Sequence, residues 1–424
     1  MDDLLRFMPA MIMGKELEEA FLSLPDYCRS ICSMSTGERL TALNSLSDIY
    51  IPSQMSYEIY GKIYLATMRA LRKKNSNELV KQGNQNYQRV HGMNYSGVLG
   101  GSDAFSVIGP SGIGKSTTIY KAIQLFKGME TIIGGEPYNQ VIPCILVQCP
   151  YDNSVRSLML AILKEIDLAI GTDSFNRATR TRASIDILIT HVSQQLMLHV
   201  GLLIMDECQN IFRVNKKGES AGGSKLVAAL TQMINSSGIS ICLVGLPQTM
   251  EMLGSEMQLA RRNIGLYYKE MPYGDSFIRF CREVYQYQYV SERTEINEGI
   301  IRWLYEHSTG IISVVLSIIM EAQQIAILQG IERLDIATLR MAYDGRMQAV
   351  QNFIRPQRIK ANTGKSKGKL AQDDLDAVNG TEKKGLIANV PDYIQSVVNE
   401  ARDEGLDIIS FFREKGLPVY EVTV

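Results

Sequence analysis

The run Ala104-Phe105-Ser106-Val107-Ile108 leads directly into Gly109-Pro110-Ser111-Gly112-Ile113-Gly114-Lys115-Ser116, and this junction decides the fold. A short apolar strand precedes the glycine-rich turn, and a helical pattern follows it. Glycines let backbone N–H groups curl around an anion without a Cβ clash, and the helix behind them presents its positive end to the same anion. Gly109, Pro110, Ser111, Gly112, Ile113, Gly114, Lys115, Ser116 and Thr117 are therefore the expected ATP-binding residues. Lys115 is expected to reach the β and γ phosphates, and Ser116 to hold Mg²⁺ through its hydroxyl.

Downstream, Leu202-Leu203-Ile204-Met205-Asp206-Glu207 is an apolar strand ending in two acids. In phosphoryl-transfer sites the first acid stands beside the metal, usually through a water, and the second polarises the attacking water. Asp206 is thus the expected partner of Ser116 at the metal, and Glu207 the expected catalytic carboxylate. A polar residue should close the strand lying between these two motifs. Ile241-Cys242-Leu243-Val244-Gly245 has the strand character, but Leu246 stands where Thr or Asn is expected, so Gln248 or Thr249 is read into that role. Arg261 and Arg262 follow a helix-like stretch from Gln248 to Leu259. One of them is expected to neutralise phosphoryl charge in a neighbouring subunit's site, with a plain surface pair as the alternative.

Outward from these motifs, further strands are predicted at Ile142 to Val147 and Ile239 to Val244, each suited to burial on both faces. With helices between them they predict an α/β parallel-sheet core over residues 101–274. Apolar positions Tyr57, Ile59, Tyr60, Ile63, Tyr64 and Met68 have helical spacing, so residues 1–100 read as a helical N-terminal region. Helical periodicity returns from Ile300 to Tyr305 and from Val314 to Leu328, predicting a small helical lid over 275–355. Its Thr309-Gly310-Ile311-Ile312-Ser313 segment has no arginine, which predicts slow hydrolysis. Residues 356–385 are polar and basic and read as a linker. Residues 386–424 regain apolar spacing at Tyr393, Val397, Val398, Ile408, Ile409, Phe411 and Phe412, as a helical tail that docks on a partner would.

The 424 residues have 45% hydrophobic and 21% charged side chains, the balance of a globular chain, and a formal charge of -1 that attracts no polyanion globally. Contacts with DNA must then come from local basic clusters. No apolar run approaches the roughly 20 residues of a membrane span, and Asp2 and Asp3 stand where a secretory signal carries basic residues, so no membrane association and a cytoplasmic location are expected. Cys144, Cys149, Cys208 and Cys242 lie in or beside apolar runs and read as reduced core thiols, while Cys28 and Cys32 have no second ligand pair near them in sequence.

These residues resemble the AAA+ ATPases, and from about Ile51 to Gln351 they resemble more narrowly the TnsC and TniB ATPases of heteromeric DNA transposons, including CRISPR-associated ones. The narrower likeness rests on Val141-Ile142-Pro143 through Pro150 and Ser154, Gly171-Thr172, Gly201 to Gln209, and Gly245 to Pro247 leading to Leu259-Ala260-Arg261-Arg262. The resemblance implies ATP and Mg²⁺ as cofactors and a homo-oligomer, ring or helical filament, on double-stranded target DNA. It also implies that the chain links a target-selector protein to a transposase, and in some systems to an endonuclease.

Two basic clusters are candidates for that DNA: Arg177, Arg180 and Arg182 in a polar stretch between two predicted helices, and Lys216 and Lys217, with Lys225, around a glycine-rich loop. Neither has interleaved aromatics, so backbone contact is expected rather than base stacking. Two rival readings share the ATPase core. A helicase loader or replication initiator would usually add a DNA-reading module such as a helix-turn-helix. A signalling or defence ATPase would show no DNA dependence of assembly.

Overall fold

The computed structural model describes residues 5, 8–74, 104–126, 132–133, 140–152, 154–181, 183–210, 228–233, 237, 239–249, 265–351 and 353–354. Residues 1–359 form one compact unit, and 360–424 a second that lies outside the described residues together with the predicted linker and tail.

The sheet comprises β1 (Ala104–Ile108), β2 (Ile132–Ile133), β3 (Gln140–Gln148), β4 (Val200–Asp206), β5 (Ser240–Gly245) and β6 (Leu266–Tyr267), in spatial order β2-β3-β4-β5-β1-β6. All neighbours pair in parallel except β2, which pairs antiparallel with β3. Alternation of side chains along the middle of each strand separates the two faces. Ile145, Val147, Leu203, Met205, Ile241 and Leu243 enter one core. Phe105, Val107, Cys144, Leu202, Ile204, Cys242 and Val244 enter the other. Because both faces are apolar, the strands read as continuous hydrophobic runs, and helices must cover both sides.

The first core is closed by α5 (Val155–Ile170) and α7 (Ile185–His199), with α6 (Ser174–Arg180) between them. Ser154 caps α5 by accepting from Ser157 N at 3.3 Å, and Gly171 at φ 73 ends it in the left-handed region. The second core is closed by α1 (Gly14–Phe21), α3 (Gln54–Lys74) and α4 (Lys115–Gln124), which bury Phe21, Ile59, Tyr60, Ile63 and Ile119. Truncating any of these buried aliphatics to Ala costs about 2–5 kcal/mol.

A third cluster gathers α2 (Thr36–Leu43), α8 (Asp275–Val284), α9 (Glu298–Ser308), α10 (Ile312–Leu328) and α11 (Ile336–Arg346), with α12 (Gln348–Gln351) closing the described chain. Among the described residues no single helix is long and apolar enough to cross a membrane. All seven cysteines are free thiols, and Cys144, Cys149, Cys208 and Cys242 are buried.

The N-terminal segment ties this helical layer to the sheet. The Tyr50 hydroxyl contacts Ser56 Oγ at 2.7 Å and Thr118 Oγ1, on α4, at 2.6 Å. The Tyr27 hydroxyl donates to Gln288 O at 2.6 Å. Arg39 forms a two-pronged ion pair with Glu332, at 2.5 and 2.7 Å, with the arginine almost fully buried. Arg39 and the amide and hydroxyl of Ser291 hold the Glu332 carboxyl down to about 2 from its ordinary 4.5.

Because the folded state lowers this pKa, the pair contributes its full stability above about pH 4.5 and loses it as pH falls toward about 2. Arg39→Ala is expected to cost about 1–3 kcal/mol at neutral pH. In paired urea melts that deficit should shrink through the acid window. A deficit independent of pH would mean that Arg39 acts by packing alone.

Candidate active site

The site lies at the carboxyl ends of β1, β4 and β5, where an open parallel sheet usually binds its ligand. The turn after β1 cannot carry a side chain at its first glycine: a Cβ on Gly109 would stand 2.7 Å from Ile113 Cδ1 and 2.9 Å from Tyr268 O. Gly109 N donates to Gly245 O at 3.2 Å, and Tyr268 N donates to Ile108 O at 2.8 Å, so β5 and β6 anchor the loop on either side. Gly112 and Gly114 adopt φ 83 and 97, which turns the chain back into α4.

A cavity of about 320 Å³ opens over this loop, lined by Ser111, Gly112, Gly114, Lys115, Ser116 and Thr117 from the loop and the start of α4. Asp206, Glu207 and Gln209 line it from the end of β4, Gly245 and Leu246 from the end of β5, and Ser313 from α10. Gly109, Pro110 and Ile113 form the turn beneath the cavity rather than its lining. The structure thus brings together the loop and the acidic pair expected from sequence.

Lys115 folds over its own loop, its Nζ donating to Gly109 O at 2.8 Å and Pro110 O at 2.7 Å. Burial pushes its pKa down, while the charges of Asp206 and Glu207 push it back up. An ammonium held by two backbone carbonyls, with two carboxylates acting on it only through space, can exchange those carbonyls for a stronger anion such as a phosphate. Asp206 is buried and accepts from Glu207 N at 2.8 Å, so one carboxylate oxygen is oriented by the backbone.

Glu207 itself has φ 58, a left-handed conformation costly for a residue with a Cβ, and Asn210 N donating to Glu207 O at 2.9 Å holds it there. The Ser116 hydroxyl and the Asp206 carboxylate both line the cavity and could hold a metal there. Two hard oxygen ligands suit Mg²⁺, which completes its shell with waters and substrate phosphate oxygens rather than with a protein cage. Among the described residues no group of three His, Cys, Asp or Glu is gathered that could form such a cage.

The turn after β5 has a different arrangement from the one expected. Leu246 lines the cavity, whereas Gln248 and Thr249 do not. Thr249 is fully buried behind Gly245, and among the described residues its hydroxyl has no hydrogen-bond partner. The polar group beside Glu207 is instead Gln209. Its amide nitrogen donates to the Glu207 carboxylate, and its oxygen accepts from Leu246 N at 3.3 Å. Its signal in the sequence was the Asp-Glu-x-Gln spacing: the short helical turn Cys208–Asn210 carries Gln209 back over the acid.

Ser313 was likewise not foreseen as a lining residue. Its backbone N donates to Gly112 O at 3.1 Å, which seats the first turn of α10 directly on the loop. A Cβ on Gly112 would overlap Ser313 Oγ and lie 2.9 Å from Ile311 Cγ2, in a backbone conformation that already disfavours any side chain. Gly112→Ala is therefore expected to lift the helical layer off the loop and weaken ATP binding on the order of 10-fold, about 1.4 kcal/mol, in a fluorescent-nucleotide titration. Adding Ser313→Ala should restore part of the loss. An unchanged affinity for Gly112→Ala would show that this contact does not govern the site.

The remaining expected site residues fall elsewhere. Arg177 and Arg180 belong to α6, a short helix where the sequence suggested an irregular polar stretch, and both are exposed one turn apart. The Arg177 guanidinium lies close enough to His191 to help burial lower its pKa. Arg182, Lys216, Lys217, Lys225, Arg261 and Arg262 lie outside the described residues.

Comparison with known proteins adds a match over part of the chain. Residues 102–267, which carry the loop, the acidic pair and β5, match the family described as bacterial TniB protein. The resemblance read from the motifs holds over that segment, a narrower span than Ile51 to Gln351. No curated protein matches the chain.

Among solved structures, Drosophila ORC bound to DNA is similar at 12% identity over 99% of this chain and 86% of that one, with a TM-score of 0.43. ORC1 of Aeropyrum pernix in complex with DNA is similar at 12% identity over 63% of this chain and 64% of that one, with a TM-score of 0.40. At such identities and TM-scores these likenesses say nothing about ligands or partners. The assignment of an α/β P-loop ATPase fold of the AAA+ type stands on the sheet order, the loop and the acidic strand.

Proposed function

From the TniB match over residues 102–267, we propose that the chain is an ATP-dependent AAA+ regulator of DNA transposition. It assembles as a homo-oligomer on double-stranded target DNA and links a target selector to the transposase. The observation that carries this reading is that the matched segment contains every residue lining the nucleotide cavity except Ser313, with Lys115, Ser116, Asp206 and Glu207 gathered at the carboxyl ends of β1 and β4. ATP and Mg²⁺ are the proposed cofactors and slow hydrolysis the proposed reaction.

In the proposed chemistry, Lys115 leaves the Gly109 and Pro110 carbonyls for the β and γ phosphates, while N–H groups of the loop and the first turn of α4 donate to the remaining phosphate oxygens. Mg²⁺ held by Ser116 and Asp206 would neutralise charge developing on the phosphates. Glu207 orients the attacking water and takes its proton. Gln209 competes for the same carboxylate, so it withholds Glu207 until the amide turns away. Arg261 or Arg262 is proposed to complete the site from a neighbouring subunit, and the segment 386–424 to dock on the transposase or an endonuclease.

Duplex binding by fluorescence anisotropy tests the reading. The expected result is binding that needs ATP, is indifferent to base sequence and falls steeply with salt. Deleting residues after Gly385 should leave that binding unchanged while removing capture of the transposase. Duplex binding equal with and without ATP, or none at all, would contradict the reading and favour a DNA-independent switch.

A further inference from the structure

A second concavity, of about 530 Å³, lies between the N-terminal segment and the helical layer. Its lining includes three arginines from three parts of the chain: Arg29 in the turn Arg29–Ser33, Arg282 in the last turn of α8, and Arg293 in the connection to α9. All three are exposed, and among the described residues none of their guanidinium groups forms an ion pair or a hydrogen bond. Glu295 is the one acid in the lining, leaving two positive charges in excess.

The floor beneath them is rigid and already satisfied. Gln288, buried, donates to Tyr285 O at 2.9 Å and Thr294 O at 2.7 Å, and its oxygen accepts from Thr294 N at 3.0 Å. Gln288 O in turn accepts from Tyr27 and from the Cys32 thiol of the N-terminal segment. This network fixes the segment that carries Arg29 against the residues that carry Arg282 and Arg293. Unpaired guanidinium groups brought together from positions far apart in sequence repel one another, and they gain most from a group able to accept several N–H donors at once. A phosphate is such a group, and the cleft is open enough to admit one.

We propose that this cleft holds a phosphate of the duplex DNA backbone, as a contact separate from the clusters on α6 and around Lys216. The inference rests on the DNA-binding reading above. It assigns the N-terminal segment and the helical layer a direct part in gripping DNA, so that nucleotide seated against α10 and DNA seated at α8 engage the same layer. Since the cleft reads charge and not bases, it contributes equally to every sequence.

The test uses the full-length protein with ATP and a fluorescent duplex, comparing wild type with Arg29→Gln/Arg282→Gln/Arg293→Gln. The expected result is affinity lowered roughly 10- to 100-fold and a salt slope reduced by about 0.9, for the one phosphate no longer neutralised. ATP affinity and melting temperature should stay at wild-type values, because among the described residues none of the three side chains forms an ion pair or a hydrogen bond. Should the triple variant unfold, Arg293→Gln alone should lower duplex affinity severalfold for every sequence alike, and an unchanged affinity would overturn the inference.

Wild-type slope and affinity in a folded variant would overturn the inference and leave the DNA reading standing. Wild-type protein that binds no duplex would overturn both. Inorganic phosphate, titrated calorimetrically, separates the sources. Loss of a saturable phosphate site with duplex binding unchanged would make the cleft a free-anion site and overturn the DNA assignment.

Discussion

Lys115→Ala is expected to abolish measurable ATP binding at micromolar nucleotide, a loss on the order of 100-fold or more. In the structure Lys115 Nζ is held by the Gly109 and Pro110 carbonyls, and it is the one side-chain cation lining the cavity among the described residues. Hydrogen bonds to charged groups are worth about 1.5–3 kcal/mol each, and the ammonium offers at least one to each of two phosphates. The fold should survive, because removing the side chain relieves its burial and leaves two carbonyls at a solvent-facing cavity. Calorimetric titration of the variant checks both points. Nucleotide affinity within a few-fold of wild type would place the triphosphate elsewhere.

Glu207→Gln is expected to leave ATP affinity nearly unchanged and to lower the hydrolysis rate by roughly 10²-fold or more, the usual worth of a positioned base. The amide keeps the size of the carboxylate and still offers an oxygen to the Gln209 amide, so the geometry is preserved. What it loses is the ability to take a proton from water. Complexes with duplex DNA and ATP should persist longer as a result, and single-turnover hydrolysis with a filter-binding chase reads both quantities. A variant that hydrolysed ATP at the wild-type rate would remove Glu207 from the reaction. Faster release from DNA with ATP retained would mean that hydrolysis is not the release step.

The core of the site was legible because its determinants are local. A strand, a glycine-rich turn and a helix start are adjacent in sequence, so Ala104 to Ser116 contains nearly all the information needed for the phosphate loop. The same holds for Leu202 to Glu207, where burial on both faces forces a continuous apolar run and exposure at its end permits two acids. The two strands between and beside them differ from expectation only at their ends: Gln140–Gln148 and Ser240–Gly245 against Ile142 to Val147 and Ile239 to Val244.

What remained hidden depends on packing between distant segments. Ser313 lines the cavity because α10 rests on Gly112, some two hundred positions earlier in the chain. Gln248 and Thr249 looked suitable for the γ phosphate by spacing, yet the tight turn at Gly245 buries Thr249 and leaves the role beside Glu207 to Gln209. The antiparallel β2 escaped notice because two residues, Ile132 and Ile133, set no period. Arg29, Arg282 and Arg293 carry no pattern in sequence at all and meet only through the Gln288 network.

The central claim, that ATP drives assembly of this chain on duplex DNA, is tested most directly by electron microscopy of the purified protein with a duplex and a slowly hydrolysed ATP analogue. The account predicts ordered, DNA-bound rings or helical filaments with the analogue. It predicts none without nucleotide, and none for Lys115→Ala under either condition. Dispersed particles with the analogue present, or identical assemblies in the absence of DNA, would contradict it.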